Sequence, residues 1–132
     1  MSVIVGYLSS ERGRKALEVG IAEAKLRKTD LVVVHSLRGA GKSDDEEVIQ
    51  SDRDLADLEN MLKSEGVVFT IHNYVRGNEP AQDIVQAARE LGGELIVIGL
   101  RPRTSAGKFL LGSNAHDILM DAPCPVLTVK VD

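Results

Sequence analysis

Apolar positions along the chain change their period several times, and each change marks an element. Residues 2–8, SVIVGYL, are β-branched and almost continuously apolar, the pattern of a strand covered on both faces. From Glu11 to Lys28 the spacing becomes helical: Ala16, Leu17, Gly20, Ile21 and Ala24 share one stripe and charges fill the other side. DLVVVHS, residues 30–36, predicts a second buried strand. A second helix runs from Asp45, carries Val48, Leu55, Leu58 and Leu62 on its apolar side, and is closed by Gly66. VVFTIHNYV, residues 67–75, predicts the third strand. Pro80 then sits in the first turn of a helix whose stripe is Ala81, Ile84, Val85, Ala88 and Leu91. ELIVIG, residues 94–99, predicts the fourth strand, followed by a polar loop from Leu100 to about Leu111. A short helix over Ser113 to Asp121 and a last strand, PVLTVKV at 125–131, complete the pattern.

Five strands alternating with four helices predict one α/β domain over residues 1–132, a doubly wound five-stranded parallel sheet with right-handed crossovers and helices on both faces. No repeat, low-complexity tract or linker interrupts it. Sheets of this kind bind ligands beyond the carboxyl ends of their strands, where strand order reverses, so the loops after the strands are the places to look.

Composition narrows the partners. The 132 residues are 43% hydrophobic and 27% charged, an ordinary globular balance, and the net charge of -4 repels nucleic acid and anionic lipid at long range. Trp is absent and only two Tyr and two Phe occur, which disfavours a nucleic-acid reader built on stacking. Any anion site must therefore be local. Cys124, the single cysteine, lies between Pro123 and Pro125 without a metal-ligand partner spaced around it, and reads as an inert thiol of a cytoplasmic protein. Apolar runs such as LIVIGL are too short to span a bilayer, and a strand pattern begins at once where a signal peptide would lie. His35 and His72 fall in strand patterns without second ligands at metal spacing, so packing or hydrogen bonding is expected of them.

Two stretches are candidates for holding phosphate. GAGKS, residues 39–43, has the letters of a P-loop, but the motif's first glycine falls on Ser36 and Asp44, Asp45, Glu46 and Glu47 follow directly. Those carboxylates oppose a phosphate, and no strand ends in a Walker-B acid, so the match reads as accidental and the segment as a Gly-rich connection. The stronger candidate is GLRPRTSAGKFLLGSNAHDIL, residues 99–119. Gly99 ends a buried strand, where a missing side chain allows close approach to the backbone. Gly112, Ser113 and Asn114 open a helix whose first N–H groups lack internal partners and carry the positive end of the helix dipole. Arg101, Arg103 and Lys108 lie between and could close over phosphate oxygens, while Phe109, Leu110 and Leu111 would pin the loop to the core. The pattern alone equally allows a solvated basic loop followed by an ordinary Ser or Asn cap.

The run LIVIGLRPRTSAGKFLLGSNAHDILMDAPCPVLTVK resembles the C-terminal half of universal stress proteins, and VIVGYLSSERGRKALEVGIAEA is similar in layout to their first strand and helix. The resemblance covers essentially the whole chain and implies a flavodoxin- or Rossmann-like sheet of the adenine-nucleotide alpha-hydrolase type. The family's nucleotide motif is G, two residues, G, nine residues, then G with S or T. By position its first glycine is Gly99 and its final pair Gly112 and Ser113, but the middle glycine is Pro102, which offers no N–H. ATP-binding members generally place an Asp after the first strand to contact the sugar; here the position holds Leu8, followed by Ser9 and Ser10. Losing such a charge-assisted hydrogen bond typically costs ~1.5 to 3 kcal/mol.

The family contains ATP binders and non-binders. The resemblance implies a binder of ATP or AMP, with or without Mg, acting as a regulatory or protective protein of the stress response. Gly6, Tyr7 and Leu8 would lie beside the base or sugar, Ser36 would line the same crevice, and phosphates would rest on Gly112, Ser113 and Asn114 with Arg101 and Arg103 supplying charge. The alternative is a member without nucleotide whose crevice is vestigial and which acts as a protein-interaction module.

Enzyme chemistry finds little support. Ser113, His116 and Asp117 have the letters of a triad, but His116 and Asp117 are neighbours on a helix and are expected to point apart, and no G-x-S-x-G elbow occurs. A phosphorelay receiver would need acids where Leu8, Ser9, Ser10, Val75 and Arg76 stand, and an ATP-pyrophosphatase-type ligase would need an SGG loop where YLSSERG stands. At most, slow ATP hydrolysis is expected. The last strand, 125–131, has no helix after it; at a sheet edge, as in the resembling family, it would pair with a second copy to form a homodimer, unless Lys130 protects the edge.

Overall fold

The computed structural model describes residues 1–7, 11–38, 44–76, 80–100, 103–105, 108–110 and 112–131. In chain order the elements are β1 (Ser2–Tyr7), α1 (Glu11–Arg27), β2 (Asp30–Arg38), α2 (Asp44–Glu65), β3 (Phe69–Arg76), α3 (Pro80–Glu90), β4 (Gly93–Leu100), β5 (Arg103–Ser105), β6 (Lys108–Leu110), α4 (Ser113–Asp121) and β7 (Val126–Lys130). β3, β2, β1, β4 and β7 lie side by side in that order as a five-stranded sheet, parallel throughout. The expected architecture is thus present. Strand order reverses between β1 and β4, because β2 and β3 are laid down on one side of β1 and β4 and β7 on the other.

Alternation along the strands divides the interior in two. Val3, Val5, Leu31, Val33, Leu95 and Val97 point to one face and bury the stripes of α1 and α2, including Ala16, Leu17, Ile21, Ala24, Leu58 and Leu62. Ile4, Val32, Val34, Ile96 and Ile98 point to the other, against Ala81, Ile84, Val85, Ala88 of α3 and Ile118 of α4. A strand buried on both sides cannot alternate apolar with polar, which is why SVIVGYL and LIVIGL read as continuous apolar runs. Gly66 has φ +71 after the end of α2, the left-handed geometry that closes a helix.

Three local expectations change. Leu91 does not belong to the buried stripe of α3; it follows the helix and is 38% exposed. β2 continues to Arg38 and β4 to Leu100, each beyond its expected end. Residues 103–110, expected as part of a polar loop, contain an antiparallel hairpin pairing Arg103 with Leu110, Thr104 with Phe109 and Ser105 with Lys108. Strands of three residues are too short to display a period.

Candidate functional site

The sheet opens where its order reverses. β1 pairs with β2 as far as Tyr7↔His35, and β4 pairs with β7 as far as Leu100↔Lys130. Among the described residues, however, the ladder between β1 and β4 ends at Val5↔Val97. The last residues of both strands, Gly6 and Tyr7 on one side and Ile98 to Leu100 on the other, keep their ladder pairing with their outer neighbours and not with each other, although a Cβ on Gly6 would still lie 3.5 Å from Ile98 Cγ2. A crevice at the carboxyl end of the sheet follows from that parting.

Two helices begin beside this crevice. Near their starts, the Ala81 N–H of α3 donates to Asn114 Oδ1 of α4 at 3.4 Å, and near their ends Arg89 Nη2 donates to the Asp121 carbonyl at 3.1 Å. α3 and α4 therefore run side by side in the same direction with their positive ends together. Those ends differ. α3 opens with Pro80, which has no N–H to satisfy, gives its next N–H to Asn114, and carries Asp83, 3% exposed, in its first turn. α4 is preceded by Gly112 in extended geometry, φ -62 and ψ 156, with no side-chain capping bond and no acid in its first turn. The carbonyl of Gly112 accepts the His116 N–H at 3.0 Å, which closes the first helical turn. A Cβ built on Gly112 would meet no heavy atom within 4 Å, so a side chain there would find open space among the described residues.

The other candidate residues fall into place unevenly. Gly6 and Tyr7, grouped by the sequence, face opposite sides of the sheet. A Cβ on Gly6 would lie 2.6 Å from Ile84 Cδ1, so this glycine makes room for α3. Tyr7 packs on the α1 and α2 side, its ring 5.8 Å from that of buried His35 and tilted by 51°. His35 is thus an aromatic packing partner, as expected for a histidine in a strand. Gly99 is half-buried in β4, paired with Val129. Ser36 lies in β2, Arg103 in β5 and Ser113 at the start of α4, with only their backbone described. Asn114 turns its oxygen toward α3. Leu8, Arg101, Pro102 and the GAGKS stretch from Gly39 to Lys42 with Ser43 lie outside the described residues.

His116 and Asp117 correct an expectation: they do meet, with Nδ1 and Oδ1 3.6 Å apart, because neighbouring side chains on a helix surface can bend toward one another in solvent. At 64% and 58% exposure the contact is screened and longer than a hydrogen bond. Among the described residues no group of His, Cys, Asp and Glu is arranged to hold a metal ion, and no helix is long and apolar enough to cross a membrane. Burial raises the pKa of the half-buried Cys124 thiol above its usual value. Sequence reasoning missed Asp83 and Ile84 as shapers of the site, although an acid soon after Pro80 is a first-turn signal.

The profile of the Universal stress protein family matches residues 1–130. The chain belongs to this family. A universal stress protein of Mycolicibacterium smegmatis is 38% identical over 128 residues, 97% of this chain and 96% of the relative. Among solved structures, a universal stress protein from Archaeoglobus fulgidus has a TM-score of 0.82 at 37% identity, covering 98% of both chains. The universal stress protein from Archaeoglobus fulgidus in complex with dAMP has a TM-score of 0.76 at 33% identity, again with 98% of both covered. This universal stress protein thus shares its fold with a nucleotide-bound relative along nearly its full length.

Proposed function

We propose that this chain binds an adenine nucleotide, AMP or ATP, at the crevice between β1 and β4, and acts in the cytoplasm as a regulatory or protective universal stress protein. The observation that carries the reading is the start of α4, which among the described residues has no side-chain capping bond and no acid in its first turn and follows a glycine, near the end of the sheet where β1 and β4 cease to pair. Its first amides, those of Ser113, Asn114 and Ala115, are the groups that would hold phosphate oxygens, by hydrogen bonds that the helix dipole reinforces. The relative in complex with dAMP supports the same ligand class. Gly99 and Ser36 would border the ligand, and Arg101 and Arg103 would supply charge on the loop between β4 and α4. Binding is the activity proposed, with at most slow ATP hydrolysis.

Leu8 and Pro102 favour a second reading, a member without nucleotide that works by contacting other proteins. Calorimetry with AMP and with ATP, each with and without Mg, separates the two: heat that saturates supports binding, and none at millimolar ligand rejects it. Nucleotide released from the purified protein on denaturation would support the first reading independently. We also propose a homodimer through residues 125–131. β7 is the outer strand next to β4 and has no further strand beside it among the described residues, the kind of edge that a second copy can extend. Sedimentation at twice the monomer mass is the expected result; monomer mass at all concentrations would show that exposed Lys130 protects the edge instead.

A further inference from the structure

Three contacts tie α3 to β1 on one side and to α4 on the other. Ile84 fills the place where Gly6 of β1 would carry a Cβ, 2.6 Å from the Ile84 Cδ1. The Ala81 N–H donates to Asn114 Oδ1 at 3.4 Å, and Arg89 holds the far end of α4 through the Asp121 carbonyl at 3.1 Å. The N–H of Ala81 requires an acceptor, which fixes the orientation of the Asn114 amide: its oxygen faces α3, and only its Nδ2 hydrogens are left for other partners. Asn114 is half-buried, as suits a group held between two helices. Its main-chain N–H belongs to the open start of α4, so one residue joins the phosphate-facing amides to α3.

We infer that Asn114 is a positioning residue: through Ala81 it sets the angle at which the first amides of α4 face the crevice, and so couples ligand occupancy to the order of the first turn of α3. The inference rests on the nucleotide reading above and assigns to the Asn114 side chain a role toward α3 in place of direct phosphate contact. Linkage requires the coupling to be reciprocal: if the bond orients the amides for phosphate, bound phosphate must strengthen the bond.

The test is amide hydrogen exchange at Ala81 together with calorimetry, on the intact chain with AMP and adenosine as probes. In the unmodified protein AMP slows Ala81 exchange more than adenosine does. Asn114→Ala weakens AMP binding about tenfold, the weight of one hydrogen bond, leaves adenosine binding within about twofold, and abolishes the effect of AMP on Ala81. Asn114→Asp retains an acceptor for Ala81 and restores its protection, yet its charge keeps AMP binding weak. Equal losses for AMP and adenosine in Asn114→Ala would mean general damage and overturn the inference. If Asn114→Ala does not fold, the unmodified protein still decides: AMP binding without any change at Ala81 overturns the coupling. No binding of AMP to the unmodified protein overturns the nucleotide reading itself, a result distinct from the others.

Discussion

α3 and α4 lie in parallel on one face of the sheet, begin at the same end of it and carry the same kind of backbone dipole, yet among the described residues α4 starts with neither the first-turn acid nor the cross-helix hydrogen bond that α3 has. α3 spends its positive end within the protein, on Pro80, Asn114 and buried Asp83. α4 keeps its own available, with Gly112 before it and Ser113, Asn114 and Ala115 in its first turn. The lesson is that a helix start becomes a candidate anion site through what the chain leaves out around it, since the dipole is common to both. A closed neighbour also has a use, because it can brace the open one.

The largest effect should come from removing the brace. Ile84 is 6% exposed, and Ile84→Ala should cost ~2–5 kcal/mol in urea unfolding, the range for deleting a buried aliphatic side chain. Gly6→Ala in that background should cost less than Gly6→Ala alone, since the Cβ would no longer meet Ile84; additive losses would show that the two do not share space. Next, Asp83→Ala should lower stability by about 1–3 kcal/mol by stripping a buried carboxylate from the first turn of α3, while adenosine binding persists. A loss below the error of the melt would mean that α3 is no more closed than α4.

Ser113→Asp makes α4 resemble α3. A first-turn carboxylate should leave stability unchanged or raise it by at most about 1 kcal/mol, and should weaken AMP binding about tenfold or more by repelling phosphate. Undiminished binding would place the phosphates elsewhere. The smallest effect concerns Cys124, which packs beside the α3 and α4 layer. Burial raises its pKa in the folded state, so its contribution to stability is intact below the ordinary thiol pKa and is lost as pH rises through the folded value. Alkylation at pH 8 should therefore be slower in the folded protein than in urea, and equal rates would remove the desolvation argument.

Much of the fold was legible because burial on both sides of a strand, or on one stripe of a helix, leaves a periodic record. The stripe of α1 and the apolar runs of β1 and β4 are such records. The β5–β6 hairpin left none, since Arg103–Ser105 and Lys108–Leu110 are shorter than one recognisable period. His116 and Asp117 were expected apart on backbone geometry alone, and side-chain bending brought them together.

By itself the sequence determined the layer structure and the order of the elements along the chain, because these depend on neighbours in the chain. Tertiary structure decided that β1 and β4 part after Val5 and Val97, that Gly6 serves Ile84, and that Asn114 turns toward Ala81. Each of these is a contact between segments remote in sequence, set by packing in space, and a local pattern carries no trace of the partner that fills it.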